Sequence, residues 1–204
     1  DKPVSGSEIL DLLNKDQKFS KSVGPIKSLN VKDSYIKEVS QSLKINKKLK
    51  IVIDCGNGAA GFIAPDLYKN LGCEVIELYS EVDGNFPNHH PDPGKVENLK
   101  DLIQAVKTHG ADLGLAFDGD GDRVGMVTNN GEIVFPDKIL MMLSKDVLHS
   151  QKGSIIFDVK CSNALSQIIK ENGGSPIRSP TGHFHIKNGI KKHNPLLAGE
   201  MSGH

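Results

Sequence analysis

The stretch "LGLAFDGDGDRVGMV", residues 113–127, sets three carboxylates, Asp118, Asp120 and Asp122, at every second position between two apolar runs. Short apolar runs bounded by Gly and Asp read as buried strands, and the Gly-spaced acids read as a tight turn at the carboxyl end of the first. Outward from this point the chain alternates. Strands are expected at "KIVIDC" (50–55), "EVIELY" (74–79), "ADLGLAF" (111–117) and "RVGMVT" (123–128). Helices over about 58–71 and 97–109 fill two of the gaps, as crossovers on a largely parallel sheet do.

A second cycle follows. The helix of "FPDKILMMLSKDVLHS" opens near Pro136, and after it come strand "SIIFDV", helix "SNALSQIIKENG", strand "SPIR", a helix over 183–192 and strand "PLLAG". The fold class is therefore α/β, as two consecutive layered units with mixed, largely parallel sheets. They span 31–132 and 133–204 and divide near the "TNNGEI" turn. At the head of the first, "VKDSYIKEVSQSLKI" reads as a helix with Asp33 or Ser34 as its cap. Residues 1–30 carry a weak helical pattern, Ile9, Leu10, Leu12 and Leu13, then the connector "KFSKSVGPIKS", and read as the tail of a preceding domain.

Charge narrows the function classes. Lys plus Arg is 25 and Asp plus Glu is 25, so no overall field draws the chain to nucleic acid or to an anionic membrane. Cys55, Cys73 and Cys161 are scattered without metal-ligand spacing, which fits buried thiols in a reducing cytoplasm. No apolar run approaches the roughly 18 residues of a membrane span. A start at Asp1 rather than Met, and a stop at "GEMSGH", read as an interior piece of a longer protein.

Three like charges this close repel unless a hard cation neutralises them. A calcium loop of the EF-hand type is excluded, since its sixth position would be Gly and is Arg123, and its twelfth would be Glu and is Asn129. Mg²⁺ keeps few carboxylates and takes phosphate oxygens as further ligands, so the triad beside Arg123 points to phosphate chemistry, with Arg123 gripping the phosphate or transferring phosphoryl group. "CGNGAAG" (55–61) makes a competing demand. Gly56, Gly58 and Gly61 have the spacing of a dinucleotide-binding turn, with Glu77 in the next strand, so the alternative is an NAD-binding oxidoreductase domain. His89 and His90 are adjacent and lack a third ligand at metal spacing, so their loop reads as structural or interdomain. Met141 and Met142 read as core residues of their helix.

"GNFPNHHPDPGKVENL", "LAFDGDGDRVG", "FDVKCSNAL", "PTGHFHIK" and "LLAGEMSGH", in this order, resemble the bacterial phosphomannomutase/phosphoglucomutase members of the α-D-phosphohexomutase superfamily, over residues 31–204. The resemblance implies a four-domain enzyme around a cleft, of which this chain holds the end of domain 1, a metal-binding domain 2 (31–132) and most of a sugar-binding domain 3 (133–204). It implies a reversible mutase on mannose and glucose phosphates, passing a phosphoryl group through an enzyme phosphoserine and a bisphosphate intermediate. Asp118, Asp120 and Asp122 would hold Mg²⁺, with a phosphoserine oxygen, absent from this chain, as fourth ligand. Lys160, His183, Glu200 and Ser202 would bind substrate, with Arg123 and His204 catalytic, His204 as acid–base. The partners implied are the hexose phosphates and domains 1 and 4 of the parent chain, without which this piece would be inactive.

Overall fold

The computed structural model describes residues 4–15 and 24–204. Helix α1 (Gly6–Leu13) starts at Ser5, whose hydroxyl accepts the Glu8 amide while the Glu8 carboxylate accepts the Ser5 amide. The first part of the expected connector, up to residue 23, lies outside the described residues. Helix α2 (Lys32–Ser42) starts after Val31 with no side-chain cap. Asp33 and Ser34, expected to cap it, sit inside its first turn, where the Ser34 hydroxyl donates to the Val31 carbonyl and Asp33 faces the positive end of the helix dipole.

Strand β1 (Lys50–Asp54) is covered on both faces, which is why its apolar run is unbroken. Val52 packs with Leu102 and Val106 of helix α4 (Lys100–His109), while Ile51 and Ile53 pack with Cys55, Cys73 and Ala64 of helix α3 (Ala64–Asn70). Around it the sheet runs β2 (Glu74–Leu78), β1, β3 (Leu113–Phe117), β4 (Val124–Thr128), β5 (Ile133–Val134). The β1 pairings are parallel, whereas β3–β4 and β4–β5 are antiparallel. The helix expected over 58–71 is split. Pro65 has no amide to offer the Gly61 carbonyl, so a 3-10 turn (Ala59–Phe62) precedes α3. A second 3-10 turn (Val96–Leu99) likewise leads into α4.

The second sheet is all parallel, in the order β7 (Ser175–Ser179), β6 (Ser154–Asp158), β8 (Leu197–Gly199). Helices α5 (Pro136–Ser150) and α6 (Asn163–Glu171) cover one face, where Leu140, Leu148, Ile155, Phe157, Leu165 and Ile169 form the core. Helix α7 (His183–His193) covers the other, its Gly189 lying against Ile156. Met141 joins that core, but Met142 is 59% exposed, one position further round α5 and so turned to solvent. All three cysteines are buried and free. Among the described residues no helix is long and apolar enough to cross a membrane.

Candidate functional site

The carboxyl ends of β3 and of β7 and β8 meet at one cleft of about 450 Å³, lined by Asp118, Asp120, Asp122 and Arg123 from the first unit and by Thr181, Gly182, His183, Glu200, Ser202 and His204 from the second. Open α/β sheets bind ligands at such strand ends. The walls are joined by a backbone bond, the Val124 amide donating to the Gly203 carbonyl at 3.3 Å.

On the first wall Asp118 is 2% exposed. Its Oδ1 accepts the Arg123 amide at 2.9 Å and its Oδ2 accepts Arg123 Nε at 2.7 Å. Burial would push the Asp118 carboxyl up, but the Arg123 amide and guanidinium outweigh it and hold the group below the usual carboxylate range. Arg123 Nη1 also donates to Asp92 Oδ1 at 3.2 Å, which fixes the guanidinium plane from two sides. One oxygen from each of Asp118, Asp120 and Asp122 lies within 4.8 Å of the others. This all-oxygen, strongly anionic set suits a small hard cation such as Mg²⁺.

On the second wall Glu200, 4% exposed, accepts the Gly182 amide on Oε1 at 2.6 Å, so it clamps the start of α7 to the loop after β8. His204 bridges the walls. Its Nε2 lies 3.2 Å from Asp122 Oδ1, and its Nδ1 lies 2.7 Å from Ser202 Oγ and 3.4 Å from Glu200 Oε2. The His183 ring meets the His204 ring edge-on, centroids 4.2 Å apart. Lys160, exposed just past β6, stands in an adjoining cleft with Pro93, Phe135 and Met201, and Ser202 is common to both clefts.

Sequence reasoning missed what lies beneath. Asp158, fully buried at the end of β6, accepts Thr181 Oγ1 at 2.8 Å and, on its other oxygen, the Met201 amide at 3.1 Å and the Cys161 thiol at 3.2 Å. One carboxylate therefore ties together the loops that carry His183 and His204. Burial would raise it, yet the Thr181 hydroxyl and the other donors hold it below its ordinary value; burial, helped by the bond to Asp158, pushes the Cys161 thiol up to about 12. The signal available was an acid closing the apolar run "SIIFD".

The glycine turn is filled by protein. A Cβ on Gly58 would lie 2.8 Å from the Gly119 carbonyl oxygen, and one on Gly61 would lie 2.1 Å from that of Ser80. The Ala59 amide donates to the Gly119 carbonyl, and Glu77 pairs with Lys69 at 2.6 Å. The Gly58 turn seats the acidic turn, Gly61 packs on Ser80 and Glu77 is taken by Lys69, so the oxidoreductase reading is not favoured. His89 Nε2 rests 3.1 and 3.2 Å from the two oxygens of Asp54, whose carboxyl burial pushes up against the opposing effect of His89. That contact anchors the 83–95 loop under the first wall.

Residues 33–131 match the phosphoglucomutase/phosphomannomutase alpha/beta/alpha domain II, and residues 135–204 match domain III. The chain is 58% identical over 191 residues to a phosphomannomutase/phosphoglucomutase of Pseudomonas syringae pv. tomato, covering 93% of this chain and 41% of the relative. It is 48% identical over 199 residues to a phosphoglucomutase of Neisseria gonorrhoeae, covering 97% and 43%. A phosphoglucomutase/phosphomannomutase family protein from Burkholderia thailandensis superposes with a TM-score of 0.88 at 44% identity, covering 97% of this chain and 42% of that one. The chain thus spans about two fifths of the length of these relatives.

Proposed function

The chain belongs to the phosphoglucomutase/phosphomannomutase family, and from that membership and the geometry of the cleft we propose that it supplies the metal-binding and sugar-binding walls of a cytoplasmic hexose phosphate mutase. The observation that carries the reading is the convergence on one cleft of a hard-cation donor set with a wall of His, Glu and Ser. On this reading residues 31–132 are the metal-binding unit, 133–204 the sugar-binding unit, and 1–30 the tail of a preceding domain.

Asp118, Asp120 and Asp122 would hold Mg²⁺, which when bound supplies neutralisation of the charge on a phosphoryl group. Arg123, braced by Asp118 and Asp92, keeps Nη2 for a phosphate oxygen. His204 has Nδ1 against Ser202 and Nε2 toward the acidic wall, so a proton taken from a sugar hydroxyl is held at a ring whose orientation is set on both sides. Glu200 would turn Oε2, which faces His204 Nδ1 at 3.4 Å, to a sugar hydroxyl, since Oε1 is committed to Gly182. The phosphoryl group would pass through a phosphoserine in the parent chain and a bisphosphate intermediate, and the parent's first and fourth domains would close the cleft.

Coupled assays of the parent chain with glucose 1-phosphate and mannose 1-phosphate test this. Mg²⁺-dependent formation of both 6-phosphates is expected, with none from residues 1–204 alone. A parent chain inactive on both sugars would refute the reading.

A further inference from the structure

The same cleft holds a second donor set with different chemistry. Asp122, His183 and His204 each bring one ligand atom within 4.8 Å of the other two, and two of the three are imidazoles. We propose that they form a second metal site, selective for a nitrogen-preferring divalent transition ion such as Zn²⁺, which shares Asp122 with the acidic turn.

Ring orientation supports it. His204 Nδ1 is engaged by Ser202 Oγ at 2.7 Å and faces Glu200 Oε2 at 3.4 Å, which leaves Nε2 pointing at Asp122, 3.2 Å away. A carboxylate or hydroxyl behind an imidazole is how metal-binding histidines are commonly held, and it fixes which nitrogen meets the ion. Glu200 is buried and anchored to Gly182, so it is a rigid support for that ring. His183 already touches the His204 ring edge-on.

Ligands about 2.0–2.2 Å from a tetrahedral Zn²⁺ stand about 3.4 Å apart. The three exposed side chains, with ligand atoms within 4.8 Å of one another, need to close by no more than about 1.4 Å to reach that spacing. One carboxylate with two imidazoles, leaving a position for water, suits Zn²⁺, Co²⁺ or Ni²⁺, whereas Mg²⁺ prefers the all-oxygen set of Asp118, Asp120 and Asp122. The ion would withdraw Asp122 from the acidic turn and both rings from the cleft, so it opposes Mg²⁺ binding rather than assisting it.

Calorimetry with Zn²⁺ and visible absorption with Co²⁺, on residues 1–204, test the assignment without an activity readout. His183→Ala and His204→Ala should each weaken Zn²⁺ binding about tenfold or more and bleach the Co²⁺ bands. Asp120→Asn, outside the site, should leave Zn²⁺ affinity within about twofold while weakening Mg²⁺. On the wild-type chain, imidazole nitrogen NMR should show Zn²⁺ shifting His183 and His204 and none of the other six histidines. A Zn²⁺ affinity that drops with Asp120→Asn and not with His183→Ala would overturn the proposal, as would Zn²⁺ shifts at neither ring.

Discussion

Replacing Asp158 by Asn removes one charge from a fully buried position without changing its shape. Three donors point at that carboxylate: the Thr181 hydroxyl, the Cys161 thiol and the Met201 amide. Hydrogen bonds to charged groups contribute about 1.5–3 kcal/mol against about 1 for neutral ones, so the Met201 and Cys161 bonds to the remaining oxygen weaken by roughly 0.5–1 kcal/mol each, and the Thr181 hydroxyl must turn from donating to accepting from the new Nδ2; relief from burying a charge returns part, leaving a net loss of about 1–2 kcal/mol. The sign with pH follows from the depressed carboxyl. A group whose folded value lies below its unfolded value of about 3.9 contributes fully above that value and ceases to contribute as pH falls through the folded one. Urea unfolding followed by circular dichroism, suited to a chain with no Trp, should show wild type ahead by a constant margin from about pH 5 to 8, closing below about pH 4. A margin that widens as pH falls, or none at neutral pH, would refute the assignment of Asp158 as an ionised tie beneath the cleft.

Asp120→Asn should weaken Mg²⁺ binding to the chain, read by calorimetry, because it removes the charge of one of the three carboxylates proposed to hold the ion while the Asp118–Arg123 pair stays intact. Titration with NAD and NADH should give no saturable binding in the micromolar range, since the Gly58 turn is occupied by the backbone at Gly119. In the parent chain Glu200→Gln and Ser202→Ala should lower conversion of glucose and mannose phosphates alike, as expected if this loop reads hydroxyls whose configuration the two sugars share. Loss of one sugar alone would show that it reads the 2-hydroxyl instead.

The two β/α cycles were legible because runs such as "KIVID" and "SIIFD" are covered on both faces and carry no polar interruption. Pro65 could have warned of the split before α3, but the 3-10 turn ahead of α4 leaves no comparable mark. Strand β5 escaped notice because two residues are too few to show a period. In the cleft, the acidic turn announced itself through spacing, whereas the second wall had to be assembled from loops about 20 residues apart whose meeting depends on packing. Asp92 was invisible for that reason, and Asp158 showed only as an acid closing the run "SIIFD". The glycine turn misled because close approach of any backbone, ligand or protein, demands the same residue.

The joint between Val124 and Gly203 gives the molecule a mechanical property distinct from its chemistry. Gly203 has φ +102°, and a Cβ there would stand 3.1 Å from the Val124 carbonyl oxygen, so the two halves touch where only hydrogen is tolerated. The spacing of the walls is therefore braced by a backbone contact that belongs to neither donor set, alongside the bridge from His204 to Asp122. A bulkier residue at that point would act as a shim, moving His204 away from Asp122 while each half kept its own core. Gap width and wall chemistry can thus be varied one at a time.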